Sequence, residues 1–183
     1  MTLAAPFVGE STLWYLARGS GIVSLALFTM TVVLGLLVAG RLSSPAWPRF
    51  VTETLHRNLS LASVLFLAVH IVTIVSDNFV TISLVDAFVP FAGSYSPFYL
   101  GLGALSVDII LALVLTSLFR TRLPFKAWRF VHWLAYLSWP VAVVHTIGIG
   151  SDQSWVLITV GISVVLVLAA GSFRVASVRR RAS

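Results

Sequence analysis

Apolar residues run along this chain in five long blocks, separated by short polar or proline-bearing stretches. A hydrocarbon core of about 30 Å takes about 20 helical residues to cross. The blocks near 19–40, 51–76, 97–119, 125–148 and 154–173 therefore predict five membrane-spanning helices. Prolines punctuate them where helix ends belong: Pro48 before the second, Pro97 opening the third, Pro124 dividing the third from the fourth. Ahead of the first span, Ser11 to Arg18 predicts a short interfacial helix, with Trp14 and Tyr15 suited to the headgroup level. The expectation is an all-α integral membrane protein. Residues 1–18 form an N-terminal interfacial segment, 19–173 a five-helix transmembrane bundle and 174–183 a basic tail. No internal repeat, low-complexity run or soluble linker domain is expected.

Composition agrees with that pattern. Hydrophobic residues make up 58% of the 183 and charged residues 10%, against roughly 25% charged in a soluble domain. Mean hydropathy is +1.00. Soluble enzymes, disordered tails and secreted scaffolds are excluded. The absence of cysteine removes disulfides, thiolate nucleophiles, iron–sulfur clusters and c-type haem attachment together. Met1 to Glu10 carries no Lys or Arg, so the charged leading region of a cleaved signal peptide is missing.

The net charge of +6 is a statement about topology. Arg41, Arg49 and Arg57, then Arg120, Arg122, Lys126 and Arg129, then Arg174, Arg179, Arg180 and Arg181 all fall on one side of the five spans. Only Arg18 falls on the other. The positive-inside rule then predicts the N-terminus outside and the C-terminus in the cytoplasm. Because the basic residues border apolar runs, with no patch of interleaved aromatics, nucleic acid is rejected as a partner. The lipid bilayer is the partner this charge pattern fits. A multi-pass protein of a cell membrane, of the bacterial inner membrane type, is expected.

Four histidines carry the candidate chemistry. His56 and His70 lie on the second span and His132 and His145 on the fourth. The fourteen- and thirteen-residue spacings put about 20 Å between the members of each pair at 1.5 Å per residue. Alternating span direction then sets His56 level with His132, and His70 level with His145. Imidazole is a good ligand for iron, copper and zinc. Two facing helices with level pairs could hold two haems, one per leaflet, each between two axial imidazoles. Fourteen residues at about 100° each return within about 40° of the starting direction, whereas thirteen leave about 140°. Pro140, between His132 and His145, is expected to distort the fourth span. A zinc or copper transporter would want acids or thiols nearby, and of the acids only Asp108 lies deep in a span.

Gly21 and Gly35 on the first span repeat the fourteen-residue spacing, one near each face. Glycine admits a flat macrocycle close to the backbone. Glycines also serve helix packing in membranes, and spacing leaves both readings open. A carboxylate at the depth of Asp108 is expensive unless paired or protonated; it suits a proton relay, or a neutral acid bonded to a Ser or Trp on the fourth span. Arg57 and Arg129 flank the histidines of the basic side, where they suit haem propionates or simply the topology rule. Trp128, Trp133 and Trp139 fit a haem edge or ordinary packing. The loop from Phe79 to Tyr99, free of basic residues, fits a cap over the outer site or interfacial anchoring.

The ordered set RGSGIVSLALFTMTVVLG, HRNLSLASVLFLAVH, TSLFRTRLPFKAWRFVHWLAYLSWPVAVVH and GIGSD resembles the ferric reductase-like transmembrane domain over about Arg18 to Asp152. Trp128, Arg129 and His132 follow one another as in similar proteins. That domain is the membrane part of ferric reductases and NADPH oxidases. It is related to the haem subunit of the bacterial methionine sulfoxide reductase system. The resemblance implies a di-haem b-type cytochrome, an oxidoreductase component moving electrons from a cytoplasmic donor to an outer-face acceptor. It puts an inner haem on His56 and His132 and an outer haem on His70 and His145. No glycine-rich nucleotide loop occurs, so no flavin or nicotinamide site is expected, and a partner flavoprotein or a quinol would supply electrons. Two other readings stand beside it: a quinol-oxidising haem subunit serving an exported reductase, and a haem-free transporter or assembly protein.

Overall fold

A computed structural model describes residues 10–40, 48–77, 80 and 82–182. The expectations for residues 1–9, Arg41 and Phe79, and for the side chains of Ser11, Arg180 and Arg181, lie outside the described residues. Seven α-helices follow in order: α1 (Glu10–Ala39), α2 (Arg49–Val75), α3 (Leu84–Phe88), α4 (Pro97–Leu118), α5 (Phe125–Trp133), α6 (Ala135–Gly150) and α7 (Ser154–Ala182). A 3₁₀ turn over Arg120–Arg122 links α4 to α5. Five spans are long and apolar enough to cross a membrane, α5 and α6 together counting as one. The expected all-α five-span architecture is thus observed among the described residues.

Two boundaries differ from expectation. Ser11 to Arg18 is no separate helix but the opening turns of α1, which runs unbroken into the first span. Nothing in that sequence interrupts a helix: it holds no proline, and Gly19 and Gly21 sit inside α1 where hydrocarbon favours internal hydrogen bonding. At the other terminus α7 continues past Phe173 through most of the basic tail, with Arg174 over the Tyr136 ring at 5.9 Å.

The bundle is apolar outside, and its interior mixes apolar core residues with buried hydroxyls. Leu65, Val165 and Leu168 are 64–65% exposed on the surface that lipid would cover, while Thr29, Thr52 and Ser138 are among the most completely buried side chains. Lipid tails are as apolar as leucine, so helices associate through close packing and hydrogen bonds. Ser24 on α1 and Ser63 on α2 each donate to the other's backbone carbonyl at 3.1 Å. Ser106 on α4 and Ser138 on α6 do the same at 3.4 and 3.3 Å, their hydroxyls 3.0 Å apart. α1 with α2, and α4 with α6, are therefore two similarly tied pairs. α1 also packs on α6 and α7, joining them, and Trp139 of α6 donates to the buried Thr29 hydroxyl of α1 at 3.0 Å.

These ties expose a repeat that the sequence reading did not expect. Within the spanning helices Gly-x-x-Ser occurs at 21–24 and at 103–106. His, Ser and His follow at 56, 63 and 70, and again at 132, 138 and 145. Too few positions are shared for similarity to be visible along the whole blocks. The second copy is one residue short, between His132 and Ser138, and there the helix breaks. Leu134 donates to Val131 and Leu137 to Leu134, both three residues back. Each residue wound at 120° instead of 100° adds about 20° and about 0.5 Å of rise. A few such residues recover the angle and length of the missing one. The distortion expected at Pro140 therefore falls six residues earlier, and α6 runs through Pro140.

At the end remote from the arginines, Arg18 makes two hydrogen bonds to Asp152, at 2.8 and 3.0 Å. They tie α1 to the turn between α6 and α7. Hydrogen bonding from Arg18, assisted by Gln153, holds the Asp152 carboxyl below its usual range. A depressed carboxylate contributes stability above its unfolded value and loses it as pH falls through the folded one. Asp152→Asn should therefore lower the unfolding temperature in detergent slightly at pH 7, by a deficit that shrinks below pH 3.8. Ser63→Ala should cost about 0.6–1 kcal/mol at neutral pH. Paired with Ser24→Ala in a double-mutant cycle, it should show a non-additive term.

Candidate functional site

The four histidines face one another across the space between the two helix pairs. His56 and His132 meet at the arginine-rich end, their ring centroids 6.2 Å apart. His70 and His145 both line a cavity at the opposite end, together with Gly21, Gly103 and Arg18. The level pairing expected from spacing is therefore what the helices produce. All four imidazoles are half-buried.

Three of the four share one hydrogen-bond arrangement. Nδ1 of His70 lies 2.7 Å from the Ala17 carbonyl, Nδ1 of His56 2.9 Å from Thr31, and Nδ1 of His145 2.8 Å from Tyr99. A carbonyl only accepts, so each Nδ1 carries the proton and each Nε2 keeps its lone pair. Metal-binding histidines are held in this way, the second nitrogen fixing tautomer and ring direction.

Glycine makes the contact feasible. Each accepting carbonyl belongs to the residue four before a glycine: Ala17 before Gly21, Thr31 before Gly35, Tyr99 before Gly103. In a helix that carbonyl lies beneath the side chain four residues on, so a Cβ there obstructs an approaching ring. A Cβ on Gly21 would stand 2.8 Å from the His70 Nδ1, and one on Gly103 2.6 Å from the His145 Nδ1. On Gly35 it would stand 3.5 Å from the His56 ring, ordinary contact. The space left by Gly21 and Gly35 is filled by imidazole, whereas the sequence suggested a macrocycle or packing. Gly103 escaped the sequence reading because no second glycine repeats its spacing on the same span; its Gly-x-x-Ser match to 21–24 is the signal that could have found it.

His132 differs. Its Nδ1 is buried and has no hydrogen-bond partner among the described residues, and the same holds for Trp128 Nε1. The two rings stack at 4.9 Å. Arg120 lies over the Trp128 ring of this stack at 4.6 Å, a residue to which the sequence reading gave no site role. Arg129 is exposed and lies over Phe125 and Trp133 at 5.5 and 5.7 Å. Arg57 is exposed as well.

Asp108 is half-buried in α4 and is not among the residues lining the cavity. It begins a stripe through Leu111, Leu115 and Leu118, the exposed side of α4. Trp139 packs in the core between α1 and α6, and Trp133 is exposed. The loop after α2 reaches the cavity: Ile82, Asp86 and Ala87 line it. Asp86 is positioned by a capping box with Ser83, which opens α3.

Fold and site together define a multi-pass helical membrane protein with two histidine pairs stacked along its interior. Residues 20–144 match the family of ferric reductase-like transmembrane components, and the chain belongs to that family, a family of membrane electron-transfer components. No curated protein and no solved structure matches the chain.

The steric grading of the three glycines is measurable. Gly21→Ala and Gly103→Ala should each destabilise the folded protein by about 1–3 kcal/mol, the range for forced repacking. Gly35→Ala should fall well below them. Unfolding of the three variants in one detergent checks the order.

Proposed function

We propose that this protein is a di-haem b-type electron-transfer protein, in which His56 and His132 would hold one haem and His70 and His145 the other. The observation that carries the reading is the shared Nδ1–carbonyl bond, which turns a free Nε2 on His56, His70 and His145 toward metal chemistry. The 6.2 Å between the His56 and His132 centroids also suits one metal between two imidazoles. Among the described residues no three metal-binding side chains gather. Pairs suit haem, which needs only two side chains from the protein. Between such imidazoles a haem supplies one-electron ferric–ferrous chemistry.

The chain's own residues set where that chemistry happens. Backbone carbonyls of α1 and α4 orient three ligands. The reciprocal serine pairs hold each ligand helix against the helix that offers those carbonyls. Ile82 and Ala87 place apolar surface over the His70–His145 cavity, and Arg18 stands at the same end. By the positive-inside rule the arginine-rich end faces the cytoplasm. With haem bound, His56 and His132 would hold the group that receives electrons from a cytoplasmic flavoprotein or a membrane quinol. His70 and His145 would hold the group that passes them to an acceptor outside a plasma membrane of the bacterial type.

A dithionite-reduced minus oxidised spectrum of the purified protein, with haem quantified per chain, tests this. The expected result is a b-type spectrum at about two haems per chain, halved by His70→Ala. One haem, reduced directly by added menaquinol, would move the assignment to the quinol-oxidising subunit of an exported reductase. A colourless preparation made with adequate haem supply would sink it.

A further inference from the structure

Facing partners in each tied pair follow a fixed register. In the first pair their residue numbers add to 87: Ala17 with His70, Ser24 with Ser63, Thr31 with His56. In the second they add to 244: Tyr99 with His145 and Ser106 with Ser138. Carried on to His132, that register brings Ala112 to the accepting place and Thr116 to the place that glycine holds in the other three. Thr116 has a Cβ, and its hydroxyl donates to the Ala112 carbonyl at 2.7 Å. The missing residue in α5–α6 allows a slip of one, to Leu113. Thr116 donates there too, at 3.2 Å. Both carbonyls within reach of the register thus carry the threonine hydroxyl beneath a Cβ that the glycine positions lack, and Nδ1 of His132 has no partner among the described residues.

The consequence is electronic, and it rests on the haem reading above. An Nδ1–H that donates to a carbonyl gives its imidazole more anionic character and makes Nε2 a stronger donor. Stronger donation favours ferric over ferrous iron, and second-shell hydrogen bonding is an established means of setting haem potential. At the cavity end both imidazoles donate in this way. At the arginine-rich end only His56 does. Arg120 adds positive charge on that side, over the Trp128 stacked on His132, which also favours the ferrous form.

We infer that the two haem sites are unequal in potential, the His70–His145 site being the lower, and that Thr116 and Gly103 are the positioning residues that make them so. Thr116 denies His132 a backbone acceptor. Gly103 gives one to His145. The site farther from the arginine-rich end is then the stronger reductant, suited to an acceptor that is itself hard to reduce.

Potentiometric titration of the haem-loaded, full-length protein, followed at the haem absorption, reads this directly. Two resolved steps are expected, the lower one missing from His70→Ala. Thr116→Gly, which uncovers the carbonyl opposite His132, should move the upper step down toward the lower. Gly103→Ala should move the lower step up, and both changes should appear in the low-spin resonance signals of the affected site. Gly161→Ala, whose new Cβ meets nothing within 4 Å, should move neither. A single unsplit wave overturns the inference, as does a lower step that survives in His70→Ala. An upper step unmoved in Thr116→Gly does so too. A protein that carries no haem fails the spectrum above instead, so the two readings fall separately.

Discussion

The bond from a histidine Nδ1 to a main-chain carbonyl one helix away is the constraint around which this bundle is arranged. A helical carbonyl already serves its own ladder, and reaching its second lone pair from a neighbouring helix requires close approach. Membranes supply no hydrophobic force to press helices together. Approach has to come from small residues, and from hydroxyls that bond across the contact. Gly21, Gly35 and Gly103 provide the first; Ser24 with Ser63, and Ser106 with Ser138, provide the second. Each serine tie stands midway between two histidine levels, so one contact sets the helix spacing for both ends of its pair.

The same geometry explains why the fourth span is broken where it is. The His–Ser–His order must present two imidazoles to one side. A thirteen-residue separation in a regular helix would turn them apart by about 140°. Tight turns at Val131–Leu134 and Leu134–Leu137 absorb the difference. Pro140 removes one internal donor from α6 and leaves the Tyr136 carbonyl without its helical partner. That loosens the ladder near the break without being its location. The break is thus a correction of register, imposed by which residues must face inward.

Much of this was legible in the sequence, for identifiable reasons. Apolar run length maps directly onto membrane thickness, so the five spans follow from Pro97, Pro124 and the blocks around them. The level pairing of His56 with His132, and of His70 with His145, follows from rise per residue alone. What spacing cannot express is the partner on a neighbouring helix. Gly21 and Gly35 stood out by their interval, yet their role was invisible, because the ring that fills the space beside Gly21 belongs to His70, far along the chain. Arg129 looked like the cation of the site because it is three residues from His132. In the helix its guanidinium lies instead over Phe125 and Trp133, four residues to either side of it. Arg120, before a turn and a proline, folds back onto Trp128 instead. Asp108 drew attention by its depth; its stripe with Leu111 and Leu115 turns it from the cavity.

A repeated two-helix unit with one copy shortened has a physical consequence beyond economy of design. Were the copies identical, both ends of the bundle would present the same donor set and the same second nitrogen bonds. They would then offer an electron no preference between them. The shortened copy removes one of four equivalent bonds, and Thr116 closes off the carbonyls that could replace it. The asymmetry therefore resides in the ligand helices and their neighbours, with Arg120 of the adjoining turn adding to it. Two otherwise equivalent histidine pairs can be made unequal by one residue fewer on one helix and one threonine where the pattern elsewhere has glycine.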